Sequence, residues 1–209
     1  MADLYLGEFD EIHRPYLEDG EAQRIARFLI EECTEDEAVE YVENLLILAY
    51  IRGRKKAADD LALDMMFWYM DVYAQADVTQ GTRMMEVIEK RFEDLNVSDR
   101  VRKYYQTAEE ERMAVVIDTE YHRDHQTGGC DMADTFEKKT GLTAFKTWNT
   151  MLDDRVRDTH DYLEGMTVPV SSRFYTYDGD SAREPGDFRN ASNNVNCRCF
   201  LTYSRQGSL

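Results

Sequence analysis

Three residues near the C-terminus have the types that metal and thiol chemistry require: His160, Cys197 and Cys199. A Cys-x-Cys pair on one strand puts both side chains on the same face, so two sulfurs reach toward one point. A histidine delivered by a neighbouring element makes three soft ligands of the kind zinc takes, with Cys130 or Asp154 at hand for a fourth. Structural zinc sites more often use C-x2-C pairs. The competing reading is a packed core of small buried cysteines with the imidazole hydrogen-bonded to a backbone carbonyl. The core reading is preferred, so no cofactor is expected, and zinc on His160, Cys197 and Cys199 stays the alternative. A Cys197–Cys199 disulfide has poor geometry on one strand face. With Asp153 and Arg157 nearby, the same residues could be drawn as a Cys-His nucleophilic pair. His122 and His125, with Glu120 and Asp124, form a second polar set, read as a solvated helix surface. The sequence holds no Gly-rich phosphate loop, nucleophile elbow or H-E-x-x-H. These residues are therefore expected to act as structure and not as catalysts.

A helix and a strand must create that meeting point. FKTW (Phe145–Trp148) is rich in β-formers. DDRVRDTHDYLEG (Asp153–Gly165) reads as a helix with Asp153 or Asp154 at its N-cap and Gly165 as its left-handed stop. On it Val156, His160 and Leu163 share a face, and Arg157 has Asp153 and Asp161 one turn to either side. NVNCRCFLTY (Asn194–Tyr203) alternates, with Cys197, Cys199, Leu201 and Tyr203 on one face and Arg198, Phe200 and Thr202 on the other. Both the histidine face and the cysteine face must be buried, so they are predicted to meet. The stretch 171–195, which holds Pro185 and Gly186, reads as a long loop.

In this order, Lys146 and Trp148, then Asp154, Arg157 and His160, then Gly165, Pro185–Gly186 and Asn196-Cys197-x-Cys199 resemble the F-like minor head proteins of phage Mu and its relatives. Those are also called head morphogenesis proteins. The similarity runs from Ala114 onward, where AVVIDTEYHRDHQTGG looks like the helix that precedes the motif set. The resemblance implies a structural, non-enzymatic virion protein of a tailed phage. It would be associated with the portal or the procapsid interior, sometimes ejected with DNA, and present in the host cytoplasm during assembly. Its partners would be the portal protein and the major capsid or scaffold proteins, with no small-molecule substrate. The resemblance also leaves a second class open, because the same unit occurs ahead of effector or toxin domains in larger polyproteins. In that case the His160/Cys197/Cys199 cluster would serve a phage-encoded effector or toxin-like enzyme. The chain ends ten residues after Cys199, which is expected to leave no room for a downstream catalytic domain. A plain adaptor outside any phage is a third option.

Composition narrows the classes independently. A net charge of −17, from 42 acidic and 25 basic residues, repels phosphate and anionic lipid. Weak or no direct nucleic-acid binding and no membrane association are expected. The apolar run Leu45–Ile51 is far short of a spanning helix, and the N-terminus lacks the basic flank and apolar core of a signal peptide. Four cysteines are too few for a disulfide framework at this length, which points to a cytoplasm with reduced thiols.

The first fifteen residues read as an acidic arm, and helices follow from Gly20 to about Leu95. Ile25, Phe28 and Leu29 form one stripe; Thr34 to Glu37 is a capping box opening a second helix along Ala38, Val42, Leu45, Leu46 and Ala49. The basic cluster Arg52, Arg54, Lys55 and Lys56 reads as a solvated helix end. The Met- and aromatic-dense segment Leu61–Val72 is core by default. Met66, Trp68 and Met70 are the residues to expect at a partner contact, each stabilising it by about 1.5–3 kcal/mol if fully desolvated. Thr79 or Thr82 would start a further helix. Ser98 caps a segment from Asp99 to about His125; Gln126–Gly129 then breaks it before a short helix Asp131–Lys139. The expected fold is α+β, mainly α: a helical, phage-specific region over 1–97 and a small strand–helix–strand C-terminal module over 98–209.

Overall fold

A computed structural model describes residues 15–63, 90, 93, 94 and 96–206. The fold is α+β and mainly helical. Its long helices are α1 (Glu21–Glu32), α2 (Glu35–Asp60), α3 (Val97–Gln106) and α4 (Glu110–Thr140); its strands are β1 (Ala144–Thr150), β2 (Thr167–Pro169), β3 (Phe174–Tyr175), β4 (Ser181–Ala182) and β5 (Cys199–Arg205). The arm over the first residues, the expected contact residues Met66, Trp68 and Met70, and the helix expected from Thr79 or Thr82 lie outside the described residues.

Local sequence explains where the helices start. Thr34 caps α2: its hydroxyl accepts from the Glu37 amide while the Glu37 carboxylate accepts from the Thr34 amide at 2.8 Å, the reciprocal box expected. The helix expected from Asp99 to His125 is instead two. Thr107 ends α3 by turning its amide and hydroxyl onto the Lys103 carbonyl, and Ala108 follows in a left-handed conformation. Beyond it α4 runs unbroken to Thr140 and stops at Gly141, φ 71°.

Gln126–Gly129 therefore does not break the chain, and packing is the reason. A Cβ on Gly128 would stand 2.1 Å from the Tyr50 carbonyl oxygen, and one on Gly53 would stand 1.8 Å from the His125 carbonyl oxygen. Helices α2 and α4 thus touch backbone to backbone, and α4 spends glycines on proximity rather than on a turn. Contact of this kind overrides the roughly 1 kcal/mol that each helical glycine costs.

Among the described residues two apolar clusters result. One joins α1, α2, α3 and the first half of α4 through Leu29, Val42, Leu46, Val101, Met113 and Ile117. The other joins the ends of α2 and α4 to the sheet through Leu61, Phe136, Trp148, Phe174 and Leu201. Two surface expectations fail here. Phe28 is 47% exposed, the buried face of α1 being Ala22, Ala26 and Leu29. Arg54 and Lys56 are buried rather than solvated: Arg54 lies over the Tyr50 ring and against the Met132 sulfur, and Lys56 pairs with Asp60. Long basic side chains can do this because their stems are apolar.

The sheet has order β2-β1-β5, all antiparallel, with Phe145 opposite Pro169, Trp148 opposite Leu201 and Thr150 opposite Cys199. The outer edge of β5 is closed by side chains from the helices. The Leu201 amide donates to Gln126 Oε1 at 3.0 Å, and the Tyr203 amide donates to Asp60 Oδ2 at 3.1 Å. The Cys199 carbonyl lies 2.7 Å from His122 Nε2. His122 and His125 are consequently buried, not solvated. An otherwise open strand edge would leave these groups without partners.

Candidate functional site

Strand β1 builds the floor of the site. Its alternation buries Ala144, Lys146, Trp148 and Thr150. Trp148 meets Phe174, Phe188 and His160 edge-on, with centroids 5.0, 5.7 and 5.9 Å away. The His160 ring stacks on Phe188 at 4.9 Å with 19° between planes. An aromatic of this size in a core contributes about 3–5 kcal/mol, and it leaves His160 little rotational freedom.

The segment before His160 departs from the predicted helix. Only Asp158–Asp161 is helical, with Arg157 at its N-cap. Asp153 is engaged elsewhere: one carboxylate oxygen accepts from the Arg155 amide at 3.1 Å and the other from Arg198 Nε at 2.7 Å. A local side-chain turn of this kind competes with helix formation. Arg157 does not sit between two carboxylates; it donates to the Val195 carbonyl and so ties the His160 turn to the approach of the cysteine strand. Asp154 is exposed. Gly165, φ 71°, returns the chain to the sheet, its amide donating to the Trp148 carbonyl at 2.8 Å.

The loop 171–195 is more ordered than its composition suggests. It contains the β3–β4 hairpin and a turn of helix, Ala191–Asn194. Asp180 is buried and accepts from the Ser181 amide at 2.8 Å, the Asn190 amide at 3.2 Å and Asn193 Nδ2 at 2.9 Å. Burial pushes its carboxyl up, but these bonds, led by Asn193, outweigh it and hold the group below the usual carboxylate range. Asn194 clasps Phe188 through both its amide (2.9 Å) and its carbonyl (2.7 Å). Gly186 packs on Arg123, whose Nε donates to the Gly186 carbonyl at 2.8 Å. Asn196, φ 52°, then swings the chain so that Cys197 faces inward.

Lys146 is fully buried, its Nζ donating to the Val170 and Arg183 carbonyls at 2.8 Å each and lying over the Phe174 ring. Burial lowers its pKa. Beside it Arg183 bonds Asp131 and Asp134. Glu184 is buried, with one oxygen accepting from Thr127 Oγ1 at 2.9 Å and the other making no hydrogen bond. Desolvation, only partly offset by Arg183, raises its pKa.

His160, Cys197 and Cys199 meet in the middle of this frame. His160 Nδ1 is 3.6 Å from Cys197 Sγ and 3.5 Å from Cys199 Sγ, and all three residues are buried. The preferred core reading put the imidazole on a backbone carbonyl; instead Nδ1 faces both sulfurs, and Nε2 has no hydrogen-bond partner. The thiols titrate as a pair. Hydrogen bonding from Cys199 holds the Cys197 thiol below its usual range against the cost of burial, and the same bond pushes the Cys199 thiol up. Cys130 is not in the cluster: Tyr203 donates to its sulfur at 3.5 Å. A Cys-His nucleophilic pair normally has a third group orienting the base, which Nε2 lacks. Outside the cluster, Cys197 also lines an open cleft of about 980 Å³, with Tyr16, Asp118, Met151, Arg157 and Arg198 among its walls.

The ordered geometry of Trp148, Arg157, His160 and the Cys-x-Cys run coincides with a family match. Residues 71–202 match the family described as Phage Mu protein F like protein. The chain belongs to that family. Among relatives of this Mu F-like chain, minor head protein GP7 of Bacillus phage SPP1 is 32% identical over 91 residues, 44% of this chain and 29% of GP7. The NAD(+)--arginine ADP-ribosyltransferase EFV of Enterococcus faecalis is 42% identical over 62 residues, 30% of this chain and 12% of the enzyme. The Mu F-like chain thus spans well under half the length of either relative. No solved structure matches it.

Sequence reasoning missed Asp60, His122, Gln126, Asp180 and Glu184 as parts of this frame. Asp180 sits in a YDGDS turn whose composition announced only a loop. Glu184 follows β4 in the same loop and bonds Thr127 on α4, whereas Asp60, His122 and Gln126 lie on helices far from the strand they serve, where no spacing rule could pair them.

Proposed function

We propose that the protein is a structural minor head protein of a tailed phage that assembles with the portal or procapsid and makes no product. The observation that carries this is membership of the Mu F-like family together with similarity to a minor head protein. The site residues support it, because their polar groups are committed to holding the chain together: Arg157 to Val195, Lys146 to Val170 and Arg183, Asp180 to the 189–193 turn. In this reading the C-terminal module is the shared unit, and residues 1–97 find the portal, capsid or scaffold partner. The segment holding Met66, Trp68 and Met70 is its contact.

The similarity to an ADP-ribosyltransferase favours a second reading, in which this kind of unit accompanies an effector enzyme. The two separate in one experiment. Tagged chain expressed during phage growth is expected to co-sediment with procapsids, and a Met66→Asp/Trp68→Asp chain that stays folded is expected to be left behind. Purified protein that never associates with heads, but consumes NAD in the presence of an arginine-bearing acceptor, refutes the structural role.

A further inference from the structure

From the geometry we infer that His160, Cys197 and Cys199 hold a zinc ion, the sulfurs and Nδ1 as ligands and water in the fourth position. The inference does not depend on the head-protein reading.

The distances carry it. With Zn–S near 2.3 Å and Zn–N near 2.05 Å, a tetrahedral angle separates nitrogen from sulfur by about 3.6 Å. The two observed Nδ1–Sγ separations are 3.6 and 3.5 Å. All three donor atoms lie within 4.8 Å of one another, with the nitrogen at the separation from each sulfur that a shared centre requires. Without an ion, the single lone pair of Nδ1 accepts only one S–H bond, although it faces two buried sulfurs at 3.6 and 3.5 Å. An ion at the shared point satisfies all three atoms.

The frame is also built to hold such a site. His160 is clamped by Phe188 and Trp148, Arg157 fixes the turn before it to Val195, and the left-handed Asn196 aims Cys197 inward. The departure from a usual zinc shell is at Nε2, which lacks an acceptor; stacking fixes the ring in its place. Cys130 and Asp154 do not join the group, so the protein supplies three ligands. Cys197 stands in the wall of the cleft, which gives the ion and its water a route. Binding is electron-neutral: each cysteine loses its proton to solvent, and the two thiolate pairs and the Nδ1 pair form the three bonds to Zn²⁺. The ion would pin the His160 turn to the first residue of β5, closing the strand–turn–strand unit.

The test uses the full chain, purified under reducing conditions without chelator. About one zinc per chain is expected. Cobalt added to metal-free chain should give a thiolate-to-cobalt charge-transfer band and the intense visible bands of a tetrahedral site. Zinc should abolish both. Cys33→Ser, outside the cluster, should change nothing, and Cys199→Ser should remove the charge-transfer band or reduce it to that of one sulfur. If Cys199→Ser fails to fold, the native chain still decides. Substoichiometric zinc with no charge-transfer band in cobalt excess overturns the proposal, as does an undiminished band in folded Cys199→Ser.

Discussion

Replacing Gly128 by alanine tests the backbone contact between α2 and α4. The added Cβ would lie 2.1 Å from the Tyr50 carbonyl oxygen, and at Gly53 the corresponding distance to the His125 oxygen is 1.8 Å. Carbon and carbonyl oxygen tolerate about 3.0 Å at closest, so the helices must part by about 0.9 Å for Gly128→Ala and about 1.2 Å for Gly53→Ala. The obstacle is backbone inside a long helix and has no rotamer to escape into. Separating α2 from α4 also draws Asp60 away from the Tyr203 amide. Overpacking of this kind costs about 3–5 kcal/mol at the severe end, and the helix-propensity gain of alanine returns about 1 kcal/mol. A net loss of about 2–4 kcal/mol is expected for either variant, read as the shift in the urea unfolding curve followed by circular dichroism. One separation serves both sites, so the double variant should lose less than the sum of the two. Gly141→Ala is the control: its φ is 71° with nothing within 4 Å, so only conformational strain of about 1–2 kcal/mol applies. If Gly128→Ala unfolds within about 0.5 kcal/mol of the native chain, the backbone-contact reasoning is wrong.

Glu184→Gln should alter the pH profile. The folded carboxyl titrates above its ordinary 4.5, so its contribution favours folding below that value and is lost as pH rises through the folded pKa. Urea midpoints at pH 4.5 and 8 should therefore diverge in the variant's favour at the higher pH. Asp180 has the opposite sign. Its folded pKa lies below the ordinary 3.8, so its contribution is present above that value and lost as pH falls through the folded pKa. Asp180→Ala should cost about 2–4 kcal/mol at neutral pH, because the Asn190 and Asn193 donors lose a charged acceptor. A thermal melt unchanged by that substitution would contradict the role given to the loop.

What the sequence revealed was what depends on near neighbours. The Thr34–Glu37 box, the strand at Trp148 and the alternation through Cys199, Leu201 and Tyr203 all follow from spacing within a few residues. So did the meeting of His160 with the cysteines, since two apolar faces flanking one strand had to be buried together. The failures share a cause. Gly128 and Gly129 looked like a break because a glycine's local preference hides the helix or ring pressing on it. His122 and Arg54 looked solvated because the Cys199 carbonyl and the Met132 sulfur that they meet lie more than seventy positions away. Asp153 looked like a helix cap, but Arg198, across the fold, competes for it.

The sealed outer edge of β5 sets a compatibility rule for recombination. Gln126 and His122 travel with the C-terminal unit, but Asp60 comes from α2, as does the bare backbone at Gly53 that admits α4. Any exchange that grafts the C-terminal unit onto a different N-terminal region must bring a helix with two matching features. These are a residue without a side chain opposite His125 and, two turns further on, an acceptor within reach of the Tyr203 amide. Grafts lacking the first would be pushed apart; grafts lacking the second would leave a strand edge able to recruit a foreign strand. The last turns of α2 are thus inherited with the sheet they close.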